Sequence, residues 1–191
     1  MLETYRLTMT ELEAGMEHIR QSPRDHGVLR MIARRPAVDE REVLTEAELN
    51  LQDGLVGDTW NVRVSKHSTD GKPNLYAQLT VMNARCTELL AQDQERWALA
   101  GDQLYVDFDL SDENIPPGTR LAIGSAVIEV SAEPHTGCKK FSARFGVEAM
   151  KFVNSPEGKR LHLRGINAKV IQAGKIRVGD TVTKVNGALV E

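Results

Sequence analysis

The sequence is short of the residues on which several common protein classes depend. Of its 191 residues only Cys86 and Cys138 are cysteines, and aromatic residues make up 5%. Two cysteines cannot supply a disulfide framework or a four-cysteine zinc site, so both thiols are expected to be free. The GxxxxGK[ST], GxGxxG, HExxH, CxxC and GxSxG signatures are absent as well, which leaves no standard nucleotide-binding, zinc-protease or hydrolase motif.

Long apolar runs and an excess of positive charge are also missing. No segment approaches the roughly 18–20 apolar residues that a membrane-spanning helix requires. Charged residues interrupt residues 1–25, so no secretory signal peptide is indicated there. The formal net charge is −3, whereas proteins that bind duplex DNA usually carry a basic excess. The sequence therefore predicts a cytoplasmic protein that binds neither a membrane nor nucleic acid.

Hydrophobic residues make up 41% of the chain, which is enough for a substantial core, and most of them fall in short runs separated by glycine turns. The strictly alternating segment 102–110 is the clearest predicted strand. Other predicted strands cover residues 28–34, 75–82, 119–123, 126–132, 166–173 and 181–185. Many short strands with a few helices predict an α+β protein that is mainly β and barrel-like.

Helical patterns are fewer. Thr10 and Glu13 have the spacing of a capping box, and an apolar stripe continues from Leu12 to Ile19. Residues 45–50 are predicted to form a second short helix. We expect residues 1–27 to form a helical extension that packs on a domain of residues 28–185, followed by a tail at 186–191.

The densest chemistry surrounds Cys138. A predicted strand ends near Ala132, Pro134 and Gly137 favour a tight connection, and a helix is predicted to begin at or just after Cys138. This arrangement brings the sulfur close to free backbone N–H groups and to the positive end of a helix dipole, which favours thiolate over thiol. A thiolate can attack an electrophile, carry a sulfane sulfur atom or ligate a soft metal.

The same segment has the features of an anion site. Lys139, Lys140 and His135 add positive potential to the helix start, so one pocket could hold a phosphorylated or oxyanionic ligand against the sulfur. Simpler interpretations stay open: Cys138 could be a small buried hydrophobe, the lysines a solvated face, and His135 a cap of the turn. Structural or surface roles are predicted for Cys86, His18, His26 and His162.

Several segments together resemble the MOSC domain family, which is named for the C-terminal domain of molybdenum cofactor sulfurase. The resemblance spans roughly residues 28–185 and indicates a small stand-alone member. One departure is Gly137, since longer members often carry proline directly before the cysteine. The segments that carry the resemblance are Gly54-Leu55-Val56-Gly57-Asp58, Asp112-Glu113-Asn114-Ile115, His135-Thr136-Gly137-Cys138-Lys139-Lys140-Phe141, Arg164-Gly165-Ile166 and Gly179-Asp180.

This resemblance implies a MOSC-like β-barrel and one functional cysteine, Cys138. In a first role, Cys138 carries a persulfide received from a cysteine desulfurase, and pyridoxal phosphate belongs to that partner enzyme. In a second, the protein binds molybdenum cofactor, Cys138 ligates the metal, and the activity is reduction of N-hydroxylated compounds. A third hypothesis, independent of the family, is a non-catalytic module for an anionic small molecule.

We rank the sulfur-carrier hypothesis first, by a narrow margin over the cofactor-dependent reductase. Physical argument adds candidates for holding a cofactor phosphate. These candidates are His135, Thr136, Gly137, Lys139, Lys140, Arg144 and Arg164.

Overall fold

The computed structural model describes residues 6–62 and 71–185, and its centre is a closed β-barrel of seven strands. The mainly β, α+β fold predicted from the sequence is confirmed. The strands are β1 (Gly27–Arg34), β2 (Glu42–Leu44), β3 (Glu46–Asn50), β4 (Gly54–Leu55), β5 (Leu79–Asn83), β6 (Leu104–Asp107), β7 (Arg120–Ile123), β8 (Ala126–Val130), β9 (Ile166–Gln172), β10 (Gly174–Arg177) and β11 (Thr181–Lys184).

The barrel strands follow the order β11-β7-β8-β9-β5-β6-β1, and pairing of β1 with β11 closes the ring. Neighbours run antiparallel except β5 and β6, which are parallel. Strand β1 begins against β11, where Gly27 pairs with Val182, and continues against β6 and β2. Strands β10, β3 and β4 form a separate three-stranded sheet. Closure satisfies the edges that an open sheet would leave unpaired.

Short helices cover part of the barrel's outer face. They are α1 (Met9–Ala14), α2 (Met16–Arg20), α3 (Ala84–Ala91), α4 (Lys139–Phe145), α5 (Val147–Asn154) and α6 (Pro156–Arg160), with 3-10 turns at Thr59–Val62, Leu75–Ala77 and Gln94–Ala100. Within the described residues, no helix has both the length and the apolar character required to cross a membrane.

Strand alternation divides the apolar residues into two clusters. In β6, Leu104 and Val106 belong to the cluster that fills the barrel, whereas Tyr105 belongs to the cluster beneath the helices. Leu12 of α1 and Phe141 of α4 join Tyr105 there. This period-two pattern is what a strand with two covered faces requires. It places α4 and α5 against the outside of the barrel.

Two local predictions were wrong. The segment predicted as a helix at 45–50 is strand β3, because it pairs with β10 and β4 and buries Leu49, and these contacts outweigh local helix propensity. The capping box of α1 is formed by Thr8 and Glu11 rather than by Thr10 and Glu13. The β7–β8 hairpin around Gly124 is confirmed. The predicted tail at 186–191 lies outside the described residues.

Candidate functional site

Cys138 lies at the junction between the loop that follows β8 and helix α4. It is the N-cap residue, its backbone is extended with φ −121° and ψ 176°, and its carbonyl accepts a hydrogen bond of 3.0 Å from Ser142 N. The side chain makes no capping hydrogen bond and is exposed to solvent. The helix therefore begins directly after the cysteine, and the interpretation of Cys138 as a buried hydrophobe is wrong.

A buried ionic network lies behind this loop, centred on Asp102. Its Oδ1 is 2.9 Å from His135 Nε2 and its Oδ2 is 2.6 Å from Arg164 Nη1. The Asp102 carboxylate is fully buried. Arg164 also donates from Nη2 to the Ala100 carbonyl at 3.0 Å, and its guanidinium lies 4.9 Å from the centre of the Phe141 ring. The network thus ties the loop before Cys138 to the segment that precedes β6 and to helix α4.

The protonation states in this network follow from burial and charge. Burial raises the pKa of Asp102, but the positive charge of Arg164 and the hydrogen bonds donated by Arg164 and His135 outweigh it and leave that pKa below its ordinary value. Burial, followed by the charge of Arg164, lowers the pKa of His135, although Asp102 opposes this shift. We therefore assign an ionised Asp102 and a neutral His135. An ionised carboxylate needs a donor, so His135 carries its proton on Nε2 and leaves Nδ1 free to accept.

Beside the network is a cavity of about 390 Å³, which we call the β8–α6 pocket. This volume lies towards the small end of ligand-binding pockets. The residues that line it are Asp112, Pro117, Ser131, Ala132, Glu133, Pro134, His135, Thr136, Val153, Asn154, Gly158, Lys159, His162, Arg164, Gly165, Ile166 and Asn167.

The pocket gathers only part of the site predicted from the sequence. His135, Thr136 and Arg164 line it, and Gly137 adjoins it by donating from its backbone N to Asn154 Oδ1 at 3.0 Å. Cys138 does not line the pocket, although it follows Thr136 by only two residues.

The remaining predicted cations lie elsewhere. Lys140 Nζ is 3.0 Å from Asp39 Oδ1, and Arg144 donates to the Leu99 carbonyl at 2.7 Å. Lys139 is exposed and does not line the pocket. None of these three cations lines the pocket. Arg144 nevertheless lies near Arg164, because the two guanidiniums donate to the adjacent carbonyls of residues 99 and 100.

Sequence reasoning missed several residues of this region. Asp102 begins a segment predicted as a strand and is 33 and 62 positions from its partners, so no local pattern connects them. His162, predicted to be structural or at the surface, lines the pocket with its Nε2 2.8 Å from Asp112 Oδ1. The available signal was the Asp112 segment itself, which carries part of the family resemblance. Lys159, also missed, supplies a further cation at the pocket.

The second cysteine has a different environment. Cys86 is fully buried in α3, and its thiol lies 3.3 Å from the Leu163 carbonyl oxygen. Burial raises the pKa of Cys86 to about 12, which keeps it in the unreactive thiol form. Within residues 6–62 and 71–185, no group of three or more histidine, cysteine or acidic residues is arranged to hold a metal ion.

Comparison with known proteins places this fold. Residues 88–183, half of the chain, match the MOSC domain family. The YUAD protein from Bacillus subtilis superposes with a TM-score of 0.60 and 12% identity, over 82% of this chain and 93% of that chain. YiiM from Escherichia coli gives 0.54 and 18%, over 84% and 71% of the two chains.

A further crystal structure, described only as a hypothetical protein, gives a TM-score of 0.57 and 20% identity, over 85% of this chain and 69% of that one. At these identities the three solved structures establish the fold alone. No match was found among curated proteins.

Proposed function

Because this chain belongs to the MOSC domain family, we propose that it is a sulfur carrier in molybdenum cofactor or related metal–sulfur metabolism, with Cys138 bearing the persulfide. Family membership supports a general role connected with molybdenum cofactor. The finer proposal depends on one observation, the exposure of the Cys138 thiol at the start of α4 and outside the adjoining pocket.

A carrier must accept sulfur from one protein and present it to another, so its thiol must be reachable by a macromolecule. Cys138 meets this requirement, because it is exposed and its side chain does not cap the helix. The other thiol, Cys86, is buried. A second exposed thiol nearby could attack a persulfide and release its sulfur as a disulfide formed. Cys86 cannot act in this way, which favours a persulfide that persists until an acceptor arrives.

The transfer step is balanced without an added oxidant or reductant. The Cys138 thiolate attacks the outer sulfur of a persulfide on a cysteine desulfurase. A new S–S bond forms at Cys138, the donor's S–S bond breaks, and the desulfurase cysteine leaves as a thiolate. The desulfurase contributes pyridoxal phosphate, and this chain contributes the accepting sulfur.

Incubation with a cysteine desulfurase and cysteine, followed by mass analysis without reductant, tests the proposal. The wild-type chain is expected to gain about 32 Da, one sulfur atom, at Cys138. The Cys138→Ser variant should gain nothing, and the matched control Cys86→Ser should gain the same mass as wild type. A wild-type protein that stays unmodified, or that carries the added sulfur on Cys86, would refute the carrier role.

A second candidate is binding of molybdenum cofactor in a reductase of N-hydroxylated compounds. The observation that favours it is Arg164 Nε, a buried donor that has no hydrogen-bond partner within the described residues and belongs to a side chain at the pocket. A buried unpaired donor is costly and fits a site that awaits an acceptor. Cys138 provides the soft thiolate that molybdenum accepts. The residues present therefore fit the group.

In that candidate, the cofactor would supply two-electron redox chemistry. Cys138 would hold the metal, and His135, Thr136 and Arg164 would hold the pterin and its phosphate. Protein purified from a host that makes the cofactor should then contain about one molybdenum per chain, and Cys138→Ser should lower the content. Wild-type protein free of molybdenum would exclude this candidate and leave the carrier proposal standing.

A further inference from the structure

Three cations surround one exposed carboxylate beside the start of α4. Asp39 lies in the loop between β1 and β2, and its Oδ1 is 3.0 Å from Lys140 Nζ and 3.8 Å from Arg144 Nη2. The hydrogen bond and the charge of Lys140, and then the charges of Arg144 and Arg41, lower the pKa of Asp39. These four residues, which we call the Asp39 cluster, therefore already hold one ionised carboxylate.

The carboxylate in this cluster can be replaced by another. The Asp39 and Lys140 side chains are 64% and 68% exposed. Arg144 donates from Nη1 to the Leu99 carbonyl, and its Nη2 is the nitrogen nearest to Asp39. An ion pair as exposed as that of Asp39 and Lys140 contributes little to stability. A carboxylate of another molecule can therefore take the place of Asp39 without disturbing the fold.

The segments that form the cluster carry a surplus of positive charge. Residues 39–41 and 139–144 contain four cations and two carboxylates, whereas the whole chain has a formal net charge of −3. The rest of the molecule is therefore acidic, so it repels an acidic protein while this surface attracts it. The β8–α6 pocket has no such surplus, because Asp112 and Glu133 line it beside Lys159.

Exposed apolar side chains lie beside the cluster. Val38 directly precedes Asp39 and is 78% exposed, and Leu99, whose carbonyl accepts a hydrogen bond from Arg144, is also exposed. Protein interfaces combine apolar side chains with arginine and a polar rim, whereas sites for small molecules are concave. The composition and the openness of this surface fit another protein better than a small ligand.

The cluster is next to the exposed thiol. Lys140 follows Cys138 by two residues, so their Cα atoms are at most about 8 Å apart. Lys140 and Arg144 are four positions apart and lie on one side of α4, as their shared contact with Asp39 shows. A protein held by the cluster therefore lies beside Cys138, which is exposed to it.

We propose that the Asp39 cluster docks an acidic surface of the protein that donates sulfur to Cys138. Until that protein binds, Asp39 occupies the place of one of its acidic side chains. The proposal rests on the sulfur-carrier role of Cys138 and adds the kind of surface that its donor presents. Charges at the rim of an interface act mainly on the rate of association and on its dependence on salt.

The rate at which Cys138 gains sulfur tests the proposal, with a cysteine desulfurase at limiting concentration as the probe. The wild-type rate is expected to fall about fivefold between about 20 mM and about 500 mM salt, because salt screens the attraction. At low salt, Lys140→Glu should be about tenfold slower and Asp39→Asn about threefold faster. Both variants break the same ion pair, so a merely structural pair would change the rate in one direction only.

Lys175→Glu is the matched control, since it makes the same change in net charge as Lys140→Glu. Lys175 is an exposed residue of β10, and its carbonyl accepts a hydrogen bond from Ser125 N at the β7–β8 turn. It therefore lies at the opposite end of β8 from the loop that leads to Cys138, and its variant should react as wild type does. Equal slowing by Lys175→Glu and Lys140→Glu, or slowing by both Lys140→Glu and Asp39→Asn, would overturn the docking proposal.

Binding of the desulfurase to Cys138→Ser separates docking from sulfur transfer, because this variant keeps the cluster and cannot accept sulfur. Binding that is lost at high salt and on adding Lys140→Glu, with a wild-type chain that never gains sulfur, would refute only the carrier role. Transfer to the wild-type chain at a rate that neither salt nor Lys140→Glu alters would refute only the docking surface. A chain that neither binds the desulfurase nor gains sulfur would refute both.

Discussion

The loop that joins β8 to α4 has two sides that differ sharply. At one end His135 is held against Asp102, with 17% of its side chain exposed. At the other end, Cys138 is exposed, as is Lys140, with 68% of its side chain exposed. Residues only a few positions apart therefore have different surroundings: the buried side holds one wall of the pocket in place, and the exposed side is in contact with solvent.

The buried side contributes to stability, whereas the exposed side is accessible from solvent. A buried ion network holds the loop above it in place, and removal of one member is costly because it leaves a buried charge without its counter-charge. An exposed thiol contributes little to folding, and its value lies in what can reach it. The five experiments below test the buried side and the exposed side separately.

The rates of thiol alkylation at Cys138 and Cys86 should show the largest difference. Iodoacetamide is expected to modify the native protein once, at Cys138, whereas Cys86 should react roughly a thousandfold more slowly, because it must wait for local opening of the structure. Intact mass after a time course measures both rates, and Cys138→Ser should abolish the fast one. Equal rates at the two cysteines would contradict the burial of Cys86.

Asp102→Asn should have the largest effect on stability. The change leaves the buried guanidinium of Arg164 without its counter-charge, and we expect a loss of about 3–5 kcal/mol in the free energy of unfolding. Urea denaturation measures it. Glu148→Gln, which removes a surface pair with Lys151, is the control and should change stability by less than about 0.5 kcal/mol. Similar losses in the two variants would contradict the network's role.

The same network predicts a loss of wild-type stability on the acid side. Asp102 and His135 both have a folded-state pKa below the ordinary value, so the unfolded chain binds their protons more readily. The contribution of His135 is complete above about pH 6.5 and is lost as pH falls towards its folded pKa; that of Asp102 is complete above about pH 3.9 and is lost lower still. His135→Gln should remove the loss of stability that begins as pH falls below about 6.5.

Two glycines with positive φ, one crowded and one in open space, allow a comparison with a smaller expected effect on stability. Gly165 has φ +107°, and a Cβ there would lie 2.5 Å from the Val81 carbonyl oxygen and 3.3 Å from His135 Cδ2. Gly118 has φ +91°, but a Cβ there would meet nothing within 4 Å. We expect Gly165→Ala to cost about 3 kcal/mol and Gly118→Ala only about 1 kcal/mol in urea denaturation. Equal costs would show that backbone strain alone matters.

Lys140→Ala should have the smallest effect. Its ion pair with Asp39 is fully solvated, so we expect no measurable change in the midpoint of urea unfolding. A fall in the urea midpoint as large as that of Asp102→Asn would mean that this exposed pair contributes to stability after all.

The sequence alone predicts much of the fold and less of the candidate site. Period-two alternation and glycine turns predict most barrel strands, because these signals are local to each strand. The wrong helix at 45–50 shows the limit, since most of β3 is held as a strand by β10, more than a hundred positions away.

The same distinction holds in the site. The junction at Cys138 is formed by consecutive residues, so the sequence alone predicts it. The Asp102–Arg164 pair and the His162–Asp112 pair join residues 62 and 50 positions apart, and only the tertiary fold brings them together. Lys139, Lys140 and Arg144 follow Cys138 closely in the sequence but do not line the pocket, because neighbours along a helix project in different directions.

Pairing of β1 with β11 has a consequence for synthesis of the protein. Gly27 pairs with Val182, more than 150 positions away. The start of β1 can therefore form this pairing only after nearly all of the described chain has been synthesised. Contacts of such long sequence separation slow folding. During translation the start of β1 and the free side of β7 remain open edges, able to pair with other strands. The nascent chain is therefore prone to aggregation until β11 has been synthesised and has paired.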